Sequence, residues 1–374
     1  MIKYEKQKFG LPRCKWPDIA LIGSFPPPYG GISVHLQRLT KRLDDDGFEY
    51  ILYNTLSASE RLDRVVSVCR NKMWWYLKFC LQNRSKISHL YSPIWLGRLV
   101  FAISARFRPG KYILSIHGRS ISVSLQNPRS IRGRLSVWLL NQMDAIICCN
   151  EYIKSECIDA IGLPSKKVYM IPAYIPPAAD EIKTPPEPLL KYIRSHSPVL
   201  CATAWIGQRY MGDDIYGVDM LIRLIEFLLP DFPNIGLVLS VNGGESEYVI
   251  NQTVKYSKKK VGEHILFLTE PLDEIVGLYR ECDLFCRPTN TDGDAISIRE
   301  SLHVGTPVVA SDVVLRPEPC ILFQSRKMNQ FELAVRDAIR NLEAHRSKIQ
   351  FLNFSDNAEK IIDLYKKLLA DEKL

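Results

Sequence analysis

Residues 18–43 read DIALIGSFPPPYGGISVHLQRLTKRL, which places a short apolar run, a glycine-containing turn and a stretch of helical spacing in succession. The run Asp18–Gly23 is typical of a buried parallel strand, because such strands are covered on both faces and need no polar alternation. After the turn, apolar residues recur at helical spacing, namely Val34, Leu36, Leu39 and Leu43. We therefore predict a strand, a turn and a helix that begins near Ile32.

The same alternation continues along the first half of the chain. Further apolar strands are predicted at Tyr50–Tyr53, Ile87–Tyr91, Tyr112–Ile116, Ala145–Cys149 and Val168–Ile171. Stretches of helical character separate them. Strands that alternate with helices imply a parallel, doubly wound sheet.

A second series of the same kind begins after a proline-rich break. Its strands are predicted at Val199–Ala204, Gly236–Val241, Ile265–Leu268, Leu284–Cys286 and Pro307–Ala310. Its helices are predicted at Val218–Leu229, Glu247–Lys259, Leu272–Glu281 and Ala295–Val304, and an amphipathic helix follows at Asn357–Leu369. The pattern predicts a second parallel sheet.

The length of 374 residues suits two domains rather than one. We predict an N-terminal Rossmann-like domain over 1–175, a proline-rich linker over 176–198 and a C-terminal Rossmann-like domain over 199–350. The last segment, 351–374, is expected to pack back toward the N-terminal domain. The predicted fold class is α/β, with two doubly wound parallel sheets. Because open α/β sheets bind ligands at the carboxyl ends of their strands, we expect the two sheets to face a central cleft.

Charge and cysteine usage limit the class of protein. The formal net charge is +8, with the excess in the N-terminal half, and such a surface suits nucleic acid, anionic lipid, a phosphorylated substrate or plain solvent. We find no nucleic-acid recognition motif and expect no such partner. The ten cysteines lack the paired spacing of a zinc site. With no signal peptide and no long apolar segment, these features predict a cytoplasmic location.

The segment Lys72–Cys80 contains the pair Trp74-Trp75 beside lysines. Aromatic rings and basic residues together are typical of a membrane interface. A helix packed on the first sheet is the alternative, with its lysines reaching solvent. Both interpretations stay open at the level of sequence.

The residues with the clearest chemistry lie in 287–312, which read RPTNTDGDAISIRESLHVGTPVVASD. We predict that Asp292 and Asp294 cap the helix that follows, whose free N–H groups are also able to bind an anion or sugar hydroxyls. Asp292 and Glu300 are separated by about two helical turns, so they are expected near one face. Two acceptors in this arrangement suit a polyhydroxylated ligand.

This run resembles the retaining GT-B glycosyltransferases of family 4, also described as glycosyl transferases group 1. Their mark is two acidic residues separated by seven others and followed by Gly-x-Pro-Val-Val-Ala-Ser, which Asp292, Glu300 and residues 305–311 match. The resemblance implies that Glu300 holds the ribose of a nucleotide. It also implies that Asp292 holds the donor sugar, together with the loop backbone at Gly293, Asp294 and Ala295.

The resemblance extends to the N-terminal half. Gly30-Gly31 look like the family's glycine loop, where the backbone approaches a diphosphate, and His117 lies where the family has a histidine near the donor sugar. His117 and Asp292 are thus the candidate catalytic residues. A turn and a structural histidine are the alternatives for these two segments.

One departure from the family concerns the diphosphate. Many members carry an Arg and a Lys after the first strand of the second domain, but here Tyr216 stands in the Lys position. Arg209 is the candidate for the Arg, and Arg287 and Arg299 are candidate phosphate-binding replacements.

The resemblance implies transfer of a hexosyl group from a UDP- or GDP-sugar, with retention of configuration and without a metal or other cofactor. The implied acceptor is a glycan or polyprenyl-linked glycan, in bacterial cell-surface polysaccharide or lipopolysaccharide synthesis. An anionic inner-membrane surface is a further expected partner, which would make the protein peripheral on the plasma membrane. Asp292-Gly293-Asp294 also resembles the Asp-x-Asp metal motif of the other glycosyltransferase fold. A non-catalytic sugar-nucleotide-binding protein and a sugar-nucleotide epimerase of the same fold remain alternatives.

Overall fold

The computed structural model describes residues 16–56, 63–68, 72–92, 94–118, 127, 129–205, 207–242, 261–270, 272–273 and 275–370. The predicted helix Glu247–Lys259 lies outside these residues, as does the basic cluster Lys3–Lys15. The chain divides into two compact units. One comprises Met1–Ile175 with Asp356–Leu374, and the other comprises Pro176–Ser355.

The first unit is built on a seven-stranded sheet in the order β3-β2-β1-β4-β5-β6-β7, and every pairing is parallel. The strands are β1 Ile19–Gly23, β2 Tyr50–Asn54, β3 Val65–Ser67, β4 Ile87–Leu90, β5 Lys111–Ile116, β6 Ala145–Cys148 and β7 Val168–Met170. The described helices are α1 Gly31–Asp45, α2 Lys72–Gln82, α3 Trp95–Phe107, α4 Ile131–Asn141 and α5 Glu151–Ser155. The order is that of a doubly wound sheet, as the alternation predicts.

The core of the first unit includes the last helix of the described chain. All five residues of β1 are buried, because helices cover both faces of the parallel sheet. The last helix, Asn357–Ala370, brings Ile361 and Tyr365 into the same core as Leu21. Its start is fixed where the Asn357 side chain donates to the Tyr174 carbonyl oxygen at 2.7 Å. Residues from both ends of the chain therefore complete one hydrophobic core.

The second unit contains a six-stranded parallel sheet in the order β12-β11-β8-β13-β14-β15 and a small hairpin, β9–β10. The strands are β8 Val199–Trp205, β9 Arg209–Tyr210, β10 Asp213–Asp214, β11 Gly236–Asn242, β12 Ile265–Leu268, β13 Leu284–Arg287, β14 Val308–Ser311 and β15 Ile321–Phe323. The described helices are α6 Glu187–Ser195, α7 Val218–Leu228, α8 Ile275–Glu281, α9 Ile296–His303, α10 Met328–Arg340 and α11 Leu342–Ile349. Asn357–Ala370 of the first unit is α12.

The segment 176–198, predicted as a proline-rich linker, contains a helix that the sequence analysis did not predict. Helix α6 lies inside this segment, and its Leu189 and Ile193 are buried in a core cluster of the second unit. Pro186 is the N-cap and Pro188 lies in the first turn. Proline is tolerated there, because the first N–H groups of a helix have no intrahelical partner.

Within the described residues, no helix is both long enough and apolar enough to cross a membrane.

Candidate active site

The glycine turn of the first unit connects β1 to α1. Gly30 is the N-cap of α1 and has an extended backbone, and its N–H donates to the Ser33 hydroxyl at 2.8 Å. The nearest atom to a Cβ built on Gly30 is that same hydroxyl oxygen, at 3.9 Å. Neither backbone conformation nor packing therefore requires glycine at 30, and the open space beside it suits a ligand that approaches the backbone.

A group of neutral rings lies next to this helix at the carboxyl ends of β4 and β5. The ring centroids of His35 and His117 are 5.3 Å apart, and Tyr91 lies 5.3 Å from His35 and 5.6 Å from His117. His35, on α1, contacts the Ala173 carbonyl oxygen through Nδ1 at 2.7 Å. The predicted residue His117 is thus beside the helix that follows the glycine turn. Its buried Nε2 atom has no hydrogen-bond partner within the described residues.

Burial keeps these histidines neutral. It lowers the pKa of His35 to about 4, against the hydrogen bond to Ala173, and the charge of Arg38 lowers it further. Burial, with smaller effects of His35 and Arg98, lowers the pKa of His117 to about 3. His117 therefore presents an uncharged imidazole near neutral pH, which is suited to hydrogen bonding rather than to ion pairing.

In the second unit, the loop between β13 and α9 is organised around Asp292. Its Oδ2 atom accepts from Arg287 Nε at 3.2 Å and from Arg316 Nη1 at 3.0 Å. Thr289 donates to the same oxygen at 3.3 Å. The Oδ1 atom accepts from the Gly293 N–H at 3.0 Å and from Arg287 Nη2 at 3.4 Å. Both carboxylate oxygens are therefore engaged by the protein itself.

The two arginines determine the ionisation of this carboxyl group. Burial alone would raise the pKa of Asp292, but the charges and hydrogen bonds of Arg287 and Arg316 outweigh it and lower the pKa to about 2. Asp292 is therefore ionised near neutral pH, and each of its contacts is charge-assisted or part of the loop.

The prediction that Asp292 and Asp294 cap the helix was wrong. The N-cap of α9 is Ala295, and no side chain caps it. Asp294 instead pairs with Arg299 at 3.0 Å, and Asp292 pairs with the two arginines described above. Both carboxylates lie next to arginines, and their charge-assisted pairs with these guanidinium groups take the place of hydrogen bonds to the helix N–H groups.

The remaining predicted residues of this unit are distributed as follows. Glu300 lies on α9 and is buried, whereas Arg209 is exposed on the β9–β10 hairpin. The Arg287 guanidinium lies 5.0 Å from the centre of the Tyr216 ring, the residue in the usual Lys position. Gly293, Asp294 and Ala295 connect Asp292 to α9. The second unit therefore brings together every predicted donor-site residue except Gly30, Gly31 and His117, which belong to the first unit, and Arg209, which lies on the separate hairpin.

Arg316 is a site residue that the sequence pattern did not indicate. It follows β14 at 24 positions beyond Asp292, in a loop without periodicity. An Arg-Pro pair in a loop is a common feature, so local sequence provided no signal for it. Across the described ranges, no group of three or more His, Cys, Asp or Glu side chains is placed to hold a metal ion.

Of the two adjacent tryptophans on α2, one lies on the surface and the other in the core. Trp74 is 71% exposed, whereas Trp75 is 2% exposed and packs against Tyr53 and Phe79. Other apolar side chains on α2 and α3 are also exposed; they are Met73, Leu77, Leu81, Leu96, Ile103 and Phe107. We call these six side chains and Trp74 the α2–α3 apolar surface. Arg98 on α3, which contributes to the positive charge of the N-terminal half, is buried and donates to the Ser92 carbonyl oxygen.

Comparison with known families gives two matches that together span most of the chain. Residues 29–178 match the model described as Glycosyltransferase Family 4. Residues 203–341 match the model described as Glycosyl transferases group 1. The matched segments include the glycine turn, His117 and the whole loop around Asp292.

Comparison with individual proteins agrees. The chain is 23% identical over 351 residues to an uncharacterized glycosyltransferase of Methanocaldococcus jannaschii, covering 87% of this chain and 90% of that one. Among solved structures, sucrose-phosphate synthase from Thermosynechococcus elongatus has a TM-score of 0.70 at 15% identity, over 94% of this chain and 99% of that one. Anabaena HepE in complex with UDP-glucose has a TM-score of 0.68 at 15% identity, over 95% and 98%.

Proposed function

The chain belongs to the glycosyltransferases of family 4, and from this premise we propose that it transfers a hexosyl group from a UDP- or GDP-sugar to a glycan or polyprenyl-linked glycan with retention of configuration. The predictions of the family, of the GT-B fold and of a transferase are confirmed by the matches. The donor, the acceptor, the stereochemistry and a role in bacterial cell-surface polysaccharide or lipopolysaccharide synthesis are parts of the proposal.

The observation that carries the proposal is the arrangement of the β13–α9 loop and of Glu300 on the helix that follows it. The loop has a fixed, charge-paired geometry, and Glu300 is buried one helix turn beyond its end. The carboxylate of Glu300 is a hydrogen-bond acceptor at the helix position where the family binds the ribose, and two ribose hydroxyls are suitable donors to it. We assign the ribose to Glu300, and the donor sugar to Asp292 with the backbone at Gly293, Asp294 and Ala295. Anabaena HepE, which shares the fold, binds UDP and UDP-glucose, which supports a nucleotide-sugar donor.

The charge that develops on the departing diphosphate needs cationic or N–H partners. We assign this role to the N–H groups at Gly30 and Gly31 and to Arg209, with Arg287 and Arg299 as the further positive charges. Arg209 is exposed, and its guanidinium contacts a protein carbonyl oxygen only at 3.5 Å, so it is accessible to a phosphate. The transfer is proposed to need no metal and no other cofactor, since these groups supply the positive charge.

The neutral ring of His117 suits contact with the donor sugar. An imidazole whose pKa is about 3 stays uncharged, so it exchanges hydrogen bonds with a hydroxyl without repelling the positive charge that develops at the anomeric carbon. Its Nε2 atom lacks a protein partner within the described residues, which leaves this atom for a ligand.

The proposal is tested first by ligand binding and transfer. A panel of UDP- and GDP-sugars is screened by thermal shift, where a ligand at a hundred times its Kd adds about 2.7 kcal/mol of stability. Glu300→Ala should weaken binding of the preferred nucleotide by about 1.5–3 kcal/mol, the range for a charged hydrogen bond, and leave the fold intact. The exposed Glu343→Ala is the matched control. Equal affinities of wild type and Glu300→Ala would contradict the ribose assignment.

Activity with and without an acceptor separates the alternatives. A transferase forms a glycosylated product and releases nucleoside diphosphate, an epimerase converts the donor without an acceptor, and a binding protein does neither. Transfer should persist with excess chelator. Loss of activity that Mg²⁺ or Mn²⁺ restores would contradict the metal-free proposal and direct attention to Asp292 and Asp294.

We assign the α2–α3 apolar surface to contact with an anionic membrane, which would make this cytoplasmic protein peripheral on the inner face of the plasma membrane. Trp74, Leu77 and Leu81 share one face of α2, and Ile103 and Phe107 are one turn apart on α3. Arg84 and Arg106 are exposed near the ends of these helices, and Arg106 lies over the Phe107 ring at 5.6 Å. Exposed aromatic rings with adjacent guanidinium groups are suited to the headgroup level of a bilayer.

Sedimentation with vesicles tests this surface. The wild type should bind vesicles that contain phosphatidylserine and release them as salt rises, because basic residues near such a surface each contribute about 1 kcal/mol that salt screens. Trp74→Ala should reduce binding with an unchanged melting temperature. Phe351→Ala, at an exposed aromatic residue of the second unit, is the matched control and should bind normally. Equal binding by all three proteins, or none at low salt, would contradict the assignment.

A further inference from the structure

We propose that Arg316 is a positioning residue for the donor diphosphate, acting through Asp292 and Arg287 to hold one unmatched positive charge at the donor loop. The inference rests on the proposed function, since it assumes that a nucleoside diphosphate binds at this loop.

Arg316 connects three segments of the second unit. Its Nε donates to the Ser311 carbonyl oxygen at the end of β14 at 3.0 Å, and its Nη2 donates to Thr289 Oγ1 at 3.1 Å. Its Nη1 donates to Asp292 Oδ2 at 3.0 Å. A guanidinium has five N–H donors in a fixed planar arrangement, so it holds three acceptors in a defined geometry, and the compact ammonium of a lysine is not equivalent to it.

The hydrogen-bonded cluster contains two guanidinium groups and one carboxylate. Arg287 and Arg316 are both charged, and Asp292 is the anion that they share, so one positive charge within this set is unmatched. Charges in a buried environment act over longer distances than charges in water, because the surroundings screen them weakly. The cluster is thus a preorganised source of positive potential in the loop that follows β13.

Exposure shows which member of the cluster is able to touch a ligand. The Arg316 side chain is 2% exposed, whereas those of Arg287 and Asp292 are each 10% exposed. Arg316 therefore acts on a ligand through its neighbours rather than by contact. Both oxygens of Asp292 accept from protein donors, so this carboxylate holds the loop and the two cations in place, in addition to its proposed contact with the donor sugar.

This arrangement offers a physical substitute for the usual Lys. Tyr216, which stands in that position, lies under Arg287, and the ring face supports the cation at 5.0 Å. The position of the family's Lys is thus taken by a ring that supports one arginine of a buried pair. The ligand chemistry that such a charge favours is an anion, and the diphosphate of the donor is the anion of the proposed reaction.

Calorimetric titration with UDP, GDP, uridine and guanosine tests the inference. In Arg316→Met, the pair Arg287–Asp292 becomes neutral, so the Kd for the preferred nucleoside diphosphate should rise at least tenfold, while the Kd for the matching nucleoside stays within twofold. Arg316→Lys keeps the charge and should show a smaller loss. Arg340→Met, at a half-exposed arginine on α10, is the control and should match the wild type.

A charge-restoring double variant separates electrostatics from structure. In Arg316→Met with Asp292→Asn, Arg287 alone again leaves one unmatched positive charge, so diphosphate affinity should recover at least threefold over Arg316→Met. If Arg316→Met does not fold, Arg316→Lys and this double variant are compared with the wild type instead. Equal losses of nucleoside and diphosphate, unchanged diphosphate affinity, or no recovery in the double variant would each overturn the inference. A wild type that binds neither nucleoside diphosphate would refute the proposed function itself, and the inference with it.

Discussion

The carboxyl end of the first sheet is lined by neutral rings, whereas that of the second sheet holds a network of charges. His35, Tyr91 and His117 in the first unit are uncharged near neutral pH, because burial disfavours their ionised forms. In the second unit, the Asp292 side chain is only 10% exposed, yet it is ionised because Arg287 and Arg316 stabilise its anion. The comparison shows two ways to bury polar groups: to suppress their charge, or to pair it.

The two solutions suit different parts of a nucleotide sugar. Neutral donors and acceptors are adequate for sugar hydroxyls, which carry no charge, whereas a diphosphate requires positive potential. Acid, the removal of single side chains and salt should therefore change the stability of the two units differently.

Acid should produce the largest difference between the units. The pKa of His35 is lowered to about 4 and that of His117 to about 3. Below pH 6.5, these histidines are therefore protonated in the unfolded chain while they stay neutral in the folded chain. Each histidine should lower the free energy of unfolding by about 1.4 kcal/mol per pH unit until its folded pKa is reached. The effect of Asp292 occurs at lower pH, because the stability that its ionised carboxylate contributes is lost only as the pH falls from 3.8 toward about 2.

Hydrogen exchange measured unit by unit at a series of pH values checks this prediction. Once corrected for intrinsic rates, protection in β1, β4 and β5 should decrease between pH 6.5 and 4 before that in β8, β13 and β14. Simultaneous loss in both sheets, or earlier loss in the second, would contradict the comparison.

Removing the shared anion should be the next largest effect. Asp292→Ala leaves two buried guanidinium groups without a carboxylate, and breaking a buried ion pair from one side costs about 3–5 kcal/mol. Chemical denaturation monitored by exchange in the second unit measures it. Asp273→Ala, at an exposed position of the same unit, should stay within about 0.5 kcal/mol of wild type. A mild effect of Asp292→Ala would show that the cluster is not held by charge.

The neutral cluster should respond more weakly to loss of one hydroxyl. Tyr365 of α12 contacts His89 Nδ1 at 2.5 Å, and His89 Nε2 contacts Ser115 at 2.8 Å. Tyr365→Phe leaves one buried imidazole nitrogen unsatisfied and should cost about 1–2 kcal/mol in the first unit. The exposed Tyr152→Phe is the control. A loss as large as that of Asp292→Ala would remove the contrast between the two sites.

A peripheral ion pair of the first unit should matter least. Arg42 Nε and Asp356 Oδ2 are 2.9 Å apart, but the side chains are 30% and 19% exposed. Pairs of this kind contribute about 0.2–1 kcal/mol, and salt weakens them. Arg42→Gln should therefore lower the melting temperature slightly at low salt and not at high salt. A salt-independent loss of several kcal/mol would place this pair with the buried network instead.

The sequence predicts the sheets well and the small elements poorly. Strands such as Leu284–Arg287 and Ile19–Gly23 agree with the pattern to within one residue, because a continuous apolar run is required of a strand that is covered on both faces. The edge strand Val65–Ser67 has only three residues, one of them buried, and the hairpin β9–β10 pairs two residues with two. Elements this short bury too little apolar surface to leave a periodic signal.

The candidate site shows the same limit for interactions that are distant in sequence. The spacing of Asp292 and Glu300 is a local pattern, and both lie where the loop and α9 are expected. Arg316 joins Asp292 only because β14 runs parallel to β13 and ends beside it. A contact that depends on which strands are neighbours produces no regular spacing of residues along the chain, so a single sequence does not reveal it.

The position of α12 affects how the protein is made. Synthesis proceeds from the amino end, so β1 to β7 leave the ribosome long before Ile361 and Tyr365, which fill the same core. The second unit, Pro176–Ser355, holds its own sheet and core and is able to fold as soon as it has emerged. The hydrophobic core of the first unit stays incomplete until α12 has emerged. Synthesis should thus allow the middle of the chain to fold before the first unit does, and in that interval the apolar residues that pack against α12 are exposed.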